Sequence, residues 1–169
     1  YNDPHEEYRP PSRFAEAASG PHRLYDGEIA YMDSEIGRLL AALPAATVVA
    51  AVGDHGEMLG EHGELTHGLL PFAGARRVPL LLAGPGVPAG RTSNCLTATA
   101  DVAPTLLALA GVTLPDGLDG RELVRGRLPG GAADAAAAAE TAGDAADCQR
   151  VAYSESFLPF YAYKWYPLR

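Results

Sequence analysis

The side chains of this sequence that could do chemistry lie at two places in its first half. Asp54 and His55 directly follow an apolar run at residues 47–53, and His67 lies twelve residues after His55. A carboxylate and an imidazole side by side are typical ligands of a divalent cation. A further imidazole titrates near neutrality, so it can hold or release a proton at physiological pH. These residue types and their spacing predict a metal-dependent hydrolytic site, with Asp54 and His55 as metal ligands and His67 as a catalytic residue.

A purely structural interpretation competes with this one. Asp54 would then cap the turn after the apolar run with His55 as a polar neighbour, and His67 would be a surface histidine. Gly56 favours the interpretation as a site, because a glycine lets the backbone approach a ligand closely.

The apolar runs predict the strands that would position these residues. Residues 47–52 and 78–83 are rich in valine, leucine and alanine, which is typical of strands buried on both faces of a parallel sheet. Open α/β sheets bind their ligands at the carboxyl ends of the strands, which is where Asp54 and His55 fall. Residues 56–74, rich in glycine and histidine, are expected to form the active-site loop.

Two helices are predicted on either side of these strands. Apolar residues recur at three- and four-residue steps over residues 24–43, and Pro44 ends that helix. Asp101 is expected to cap a second helix over residues 102–110. Three prolines between residues 4 and 11 predict an extended loop through residue 14. The order helix–strand–loop–strand–helix indicates an α/β fold.

Composition narrows the function classes. The chain has 169 residues, 47% of them hydrophobic, which is enough for one sizeable core. Its formal net charge of −8 and the lack of a basic patch argue against a nucleic-acid or anionic-membrane partner. No apolar stretch is long enough to span a bilayer. The two cysteines, Cys95 and Cys148, could pair or stay free, and they leave the redox compartment open.

The composition changes twice along the chain. Residues 1–128 have the mixed pattern of a folded domain, whereas residues 129–150 consist largely of alanine, glycine and aspartate, as in a linker or a surface insertion. The tail, residues 151–169, is rich in aromatic side chains and is expected to pack back on the domain.

Taken together, these motifs resemble the sulfatase family of the alkaline-phosphatase-like superfamily. The matching segments are residues 3–5, 10–11, 25–33, 53–63, 66–68, 77–81, 84–86, 101–107 and 153–156. Their order and spacing carry the resemblance, rather than any one motif. It implies an alkaline-phosphatase-like α/β fold with a mostly parallel sheet flanked by helices.

The resemblance also implies roles for individual residues. Asp54 and His55 match the later pair of metal ligands, and His67 matches a position where many sulfatases carry a lysine that contacts the sulfate. His5 matches the active-site histidine proposed to protonate the leaving group. The implied metal is calcium, although an imidazole ligand leaves manganese and zinc as alternatives.

Part of the family pattern is not in this sequence. A sulfatase needs an early pair of aspartates and a Cys/Ser-x-Pro-x-Arg motif whose first residue becomes formylglycine. Neither is found in this sequence, and neither Cys95 nor Cys148 begins such a motif. The chain is therefore expected to be the C-terminal part of a bacterial-type catalytic domain, present as a partial domain. Its partner would be the missing N-terminal half, and alone it should not turn over substrate.

The function implied is hydrolysis of a sulfate ester, on a small molecule or a glycan, to an alcohol and sulfate. Two alternatives stay open: a phosphonate monoester or phosphodiester hydrolase of the same superfamily, and a non-catalytic binding protein that keeps the fold. The sequence does not set the compartment. By resemblance alone, the protein would be periplasmic or extracellular.

Overall fold

The computed structural model describes residues 3–5, 7–67, 69–124, 150, 151 and 154. Its elements are α1 (Ser12–Ala17), α2 (Arg23–Ala42), β1 (Val49–Val52), α3 (Ala73–Arg76), β2 (Leu80–Ala83) and α4 (Val102–Leu109), with short 3₁₀ turns at Glu61–Gly63 and Thr99–Asp101. Contacts divide the chain into two compact units: Tyr1–Pro44 with Met58–Thr66, and Ala45–Glu57 with His67–Arg169. The predicted segments 129–150 and 151–169 lie outside the described residues, apart from residues 150, 151 and 154.

In the first unit, α2 confirms the helix predicted over residues 24–43 to within one residue at each end. Its buried residues are Gly27 and Glu28, whereas Leu39 and Leu40 are 50% and 45% exposed. The helix therefore packs within this unit through the face that carries Gly27, and much of the apolar stripe that predicted it is exposed.

Helix α1 corrects the expectation of an extended loop through residue 14. The helix begins directly after Pro11, whose carbonyl oxygen accepts hydrogen bonds from the amides of Phe14 and Ala15 at 2.8 and 3.2 Å. A proline before the first turn removes no hydrogen bond that the helix needs, so these prolines precede a helix instead of preventing one. Phe14 packs against Tyr31 of α2, with 5.5 Å between the ring centroids.

In the second unit, β1 and β2 lie within the two predicted strand runs but pair antiparallel, from Val49 opposite Ala83 to Val52 opposite Leu80. The α/β class is confirmed, whereas the parallel and doubly buried setting expected for these strands is wrong for this pair. Leu81 is 61% exposed and Val52 41%. An antiparallel pair places the end of β1 next to the start of β2, so the chain that links them begins and ends on the same side of the pair.

The core of the second unit lies around α4. Pro104, Thr105 and Leu109 of this helix are buried, as is Val124. The helix confirms the element predicted over residues 102–110. Within the part of the chain that is described, no helix combines the length and the apolarity needed to cross a membrane.

Candidate active site

Asp54 and His55 lie just past the end of β1, as the sequence predicted. The Asp54 side chain is 91% exposed, and its Oδ1 accepts a hydrogen bond from the His55 amide at 3.0 Å. That bond is the main reason why the pKa of Asp54 is lowered from its ordinary value. An ionised and accessible carboxylate therefore stands at the end of the strand.

The His55 ring turns one nitrogen toward this carboxylate. Its Nδ1 lies 3.0 Å from the carbonyl oxygen of Gly56. Because a carbonyl oxygen only accepts hydrogen bonds, Nδ1 is the nitrogen that donates here, and in a neutral ring Nε2 then carries the lone pair. Nε2 lies 3.9 Å from Oδ2 of Asp54. A histidine whose second nitrogen bonds a carbonyl oxygen is the usual form of a metal-ligating imidazole, so these two residues fit as two ligands of one cation.

His67 packs directly on His55, with ring centroids 3.8 Å apart and the ring planes at 26°. Its Nδ1 lies 3.4 Å from both carboxylate oxygens of Glu57. The Glu57 side chain is only 7% exposed, and that of His67 is 26% exposed. Glu57 thus lies beside Nδ1 of the ring and orients it.

These four residues, Asp54, His55, Glu57 and His67, form what we call the strand-end cluster. All four belong to the chain between β1 and β2, which explains why an antiparallel pair brings them together. Glu57 is a member of this cluster that the motifs did not indicate, although an acidic residue two positions after a candidate ligand is a signal that points to one. Among the described residues, no group of three or more histidine, cysteine, aspartate or glutamate side chains could hold a metal ion. If Asp54 and His55 bind a cation, they are only two of its ligands.

Gly56 is needed for a different reason from the one expected. A Cβ atom at this position would collide with the carbonyl oxygen of Gly74 and lie 3.1 Å from that of Arg77. The Gly56 amide also donates to the carbonyl oxygen of Ala75 at 2.8 Å. The close approach is thus to the backbone around α3, not to a ligand, and it fixes the segment between His55 and Glu57.

His5, the other predicted catalytic residue, belongs to the first compact unit. Its amide donates to Oε2 of Glu28 at 3.0 Å, and the residue is exposed. The structure therefore brings His67 together with Asp54 and His55, and it fixes His5 separately, on the first turns of α2.

Asp101 departs from its predicted role as the cap of α4. The carboxylate bonds none of the amides of that helix. Instead it accepts from the amides of Ala98 at 2.8 Å and Arg121 at 2.9 Å, and from Nη1 of Arg150 at 2.5 Å. We call these four residues the Asp101 cluster. Arg121 and Arg150 are distant in sequence, which is why helix-capping patterns could not indicate this arrangement.

A hydroxyl beside Asp101 links the same segments. Thr105 donates to the carbonyl oxygen of Asp101 at 2.6 Å and accepts from the Leu123 amide at 3.0 Å. Cys95 is disulfide-bonded, and the chain's second cysteine, Cys148, lies outside the described residues.

An α/β fold with a carboxylate and two imidazoles at the end of one strand defines a hydrolase-like class of site, and comparison with known proteins names the family. The sulfatase family model matches residues 1–112, and the chain belongs to the sulfatase family of sulfuric ester hydrolases. Choline-sulfatase of Rhizobium meliloti (strain 1021) is 39% identical over 99 residues, which are 56% of this chain and 19% of that protein. Arylsulfatase of Clostridium perfringens (strain 13 / Type A) is 34% identical over 108 residues, which are 59% of this chain and 22% of that protein.

Solved structures confirm the alkaline-phosphatase-like fold. The phosphonate monoester hydrolase SpPMH from Silicibacter pomeroyi is 31% identical with a TM-score of 0.56, over 60% of this chain and 21% of that one. BT4656, solved in complex with its substrate D-glucosamine-2-N,6-O-disulfate, is 31% identical with a TM-score of 0.54, over 64% of this chain and 24% of that one. The chain spans about a fifth of the length of the curated relatives named here.

Proposed function

We propose that this chain is part of a metal-dependent sulfatase that hydrolyses a sulfate ester to an alcohol and sulfate. The observation that carries the proposal is the strand-end cluster, in which an exposed carboxylate, the imidazole beside it and a second imidazole in contact with Glu57 meet at the end of β1. The named sulfatase relatives, and a neighbour solved with a sulfated glucosamine, support the choice of substrate class.

Asp54 and His55 would hold the divalent cation, with the remaining ligands coming from elsewhere in the domain. When bound, the cation supplies positive charge that polarises the sulfate oxygens. Calcium is the metal proposed, with manganese and zinc as alternatives because one ligand is an imidazole. A formylglycine nucleophile is expected in the N-terminal half of the domain, which is the proposed partner of this chain.

His67 would act on the sulfate group itself. Its Nδ1 faces Glu57, and Nε2 is the nitrogen proposed to bind a sulfate oxygen or the leaving oxygen. The stacking contact with His55 keeps the ring in one plane and so holds this nitrogen in place. His5 would supply the proton that the leaving oxygen takes up when the S–O bond breaks.

A phosphonate monoester hydrolase is the second candidate. It is favoured by one observation, the likeness to the phosphonate monoester hydrolase from Silicibacter pomeroyi. The two candidates would share the cation ligands and differ in the nucleophile and in the charge and shape of the group they accept. Substrate selectivity therefore distinguishes them. A binding protein without catalytic activity is the third possibility, and it predicts no turnover of either substrate class.

The test is made on the full-length protein, with 4-nitrophenyl sulfate and a 4-nitrophenyl phosphonate monoester as parallel substrates. We expect preferential hydrolysis of the sulfate ester, and His67→Ala should lower kcat roughly a hundredfold to ten-thousandfold, the range usual for a positioned acid–base group. The matched control is His22→Ala, an exposed histidine just before α2, which should keep the wild-type rate.

Three results would contradict the proposal in different ways. Preference for the phosphonate ester would move the protein to the second candidate. A near-normal rate of the His67 variant would return this residue to the surface-histidine interpretation. Lack of turnover with either substrate in a metal-loaded, formylglycine-containing preparation would indicate a binding protein.

A further inference from the structure

Glu28 is a buried carboxylate on α2 that bonds the backbone of a neighbouring loop. The residue is 4% exposed. Its Oε2 accepts from the His5 amide at 3.0 Å, and its Oε1 accepts from the Arg9 amide at 2.5 Å. Burying a carboxylate is unfavourable unless its oxygens are bonded, and here each oxygen bonds a backbone amide of the same short loop.

Two further contacts hold the loop that contains His5 and Arg9 against α2. A Cβ atom on Gly27 would lie 2.9 Å from Cγ of Pro10, so only a glycine lets the loop approach this closely without a shift. Tyr8 meets Tyr25 edge to face, with 5.4 Å between the ring centroids. The loop is therefore also held at Tyr8, between the two amides that Glu28 bonds, and at Pro10, directly after the second.

The backbone bond at His5 has a direct consequence for its ring. Because this bond fixes the amide nitrogen, it fixes where the His5 side chain leaves the backbone and so limits the positions that the imidazole can reach. A proton donor must be held within hydrogen-bond reach of the atom that receives the proton. Glu28 bonds the backbone of His5 itself, so its effect on the position of the imidazole would be direct.

We propose that Glu28 is a positioning residue that sets the place of the His5 imidazole for proton delivery to the leaving oxygen. This inference rests on the proposed function, which assigns that proton to His5. Glu28 acts through the loop and touches no substrate. Its loss should therefore matter most for the substrates that need the proton most.

The experiment compares leaving groups in the full-length enzyme. 4-Nitrophenolate departs from its sulfate ester with little need of a proton. Phenolate, the more basic leaving group of phenyl sulfate, depends more strongly on being protonated. His5→Ala should lower kcat on phenyl sulfate roughly a hundredfold or more while changing 4-nitrophenyl sulfate far less. Glu28→Gln should show the same selectivity at roughly tenfold, below the hundredfold effect typical of a misplacement of about 1 Å.

Two more variants separate positioning from general damage. The double variant His5→Ala with Glu28→Gln should be no slower than His5→Ala alone, because Glu28 would act only through His5. Gly27→Ala keeps the carboxylate and displaces the same loop through Pro10, so it should reproduce the leaving-group selectivity if Glu28→Gln fails to fold. Glu35→Gln is the matched control: it lies on the same helix and pairs with the exposed Arg38.

The outcomes distinguish this inference from the proposed function. If His5→Ala is impaired selectively while Glu28→Gln and Gly27→Ala match the wild type, only the inference is overturned. The inference would also be overturned if Glu28→Gln lowered kcat equally on both substrates and the double variant were slower than His5→Ala alone. Such a result would indicate a purely structural role. A normal rate of His5→Ala on phenyl sulfate would overturn the assignment of the proton to His5, and the inference with it.

Discussion

Asp54 and Asp101 belong to the same compact unit, and the pKa of each is lowered, but their surroundings are opposite. The Asp54 side chain is 91% exposed and is bonded chiefly by the amide of the next residue. The Asp101 side chain is fully buried, and burial raises its pKa, but the guanidinium of Arg150 and the amides of Arg121 and Ala98 outweigh that effect.

The difference separates polar groups that hold the fold from polar groups that are open to a ligand. Every oxygen of the Asp101 carboxylate is bonded by the protein, so nothing remains for an added cation or substrate. Oδ2 of Asp54 instead lies beside Nε2 of His55 at a distance of 3.9 Å, where a cation could bind both atoms. Lowered pKa values alone would have placed these two aspartates in one category.

The largest effect is expected from Asp54→Ala, on metal content. In the full-length enzyme this variant should lose tightly bound divalent metal, because it removes one of the two ligands proposed in the strand-end cluster. Metal per protein, measured by inductively coupled plasma mass spectrometry, checks this, and it also identifies the metal. Asp116→Ala, another exposed aspartate, serves as the control. Unchanged metal at full occupancy would remove Asp54 from the site.

The same variant, Asp54→Ala, also tests whether this side chain contributes to the stability of the fold. Because the Asp54 side chain has only local partners, we expect its unfolding midpoint in excess chelator to equal that of the wild type in the same chelator. A large loss of stability without metal would show that Asp54 holds the fold, as Asp101 does.

Asp101→Asn should have the second largest effect, on folding and not on metal binding. The asparagine keeps the shape but loses the charge facing Arg150 and replaces an accepting oxygen by a donating amide. We expect the free energy of unfolding to fall by about 2–4 kcal/mol, the scale for breaking a buried charged hydrogen bond. Urea unfolding of the full-length protein measures the change, with the exposed Asp119→Asn as control. An unchanged midpoint would mean that the Asp101 cluster contributes little to stability.

A smaller effect is expected in acid. The pKa of Asp101 in the folded protein lies below the ordinary value of 3.8. Its stabilising contribution is therefore complete above about pH 4 and is lost as the pH falls through the lower, folded-state value. Between those two pH values the wild type should lose stability more steeply than Asp101→Asn, in chelator to exclude metal effects. Parallel slopes for the two proteins would contradict this assignment.

The sequence predicted the features that local patterns determine. The spacing of apolar residues located α2 to within one residue at each end, and the helix-start signal at Asp101 located α4. The position of Asp54 and His55 after an apolar run placed them at the end of β1. The resemblance to sulfatases was confirmed by the family model. The metal roles of Asp54 and His55, and the catalytic roles of His5 and His67, stay predictions.

The features that the sequence did not predict depend on partners distant in the chain. Glu28 could be recognised as a polar residue of a helix, but not as an acceptor for the amides of His5 and Arg9. The pairing direction of β1 and β2 was misjudged, since continuous apolar runs favoured a parallel sheet. The prolines before residue 12 favoured an extended loop and so did not indicate helix α1, although a proline directly before the first turn is compatible with a helix.

The Asp101 cluster has a topological consequence. The chain contacts this carboxylate at Arg121 and contacts it again at Arg150. The separation of these two points is therefore set by one side chain, whatever number of residues connects them. A relative with more or fewer residues between these two arginines would keep this arrangement at the start of α4 only if both arginines still reach the Asp101 carboxylate.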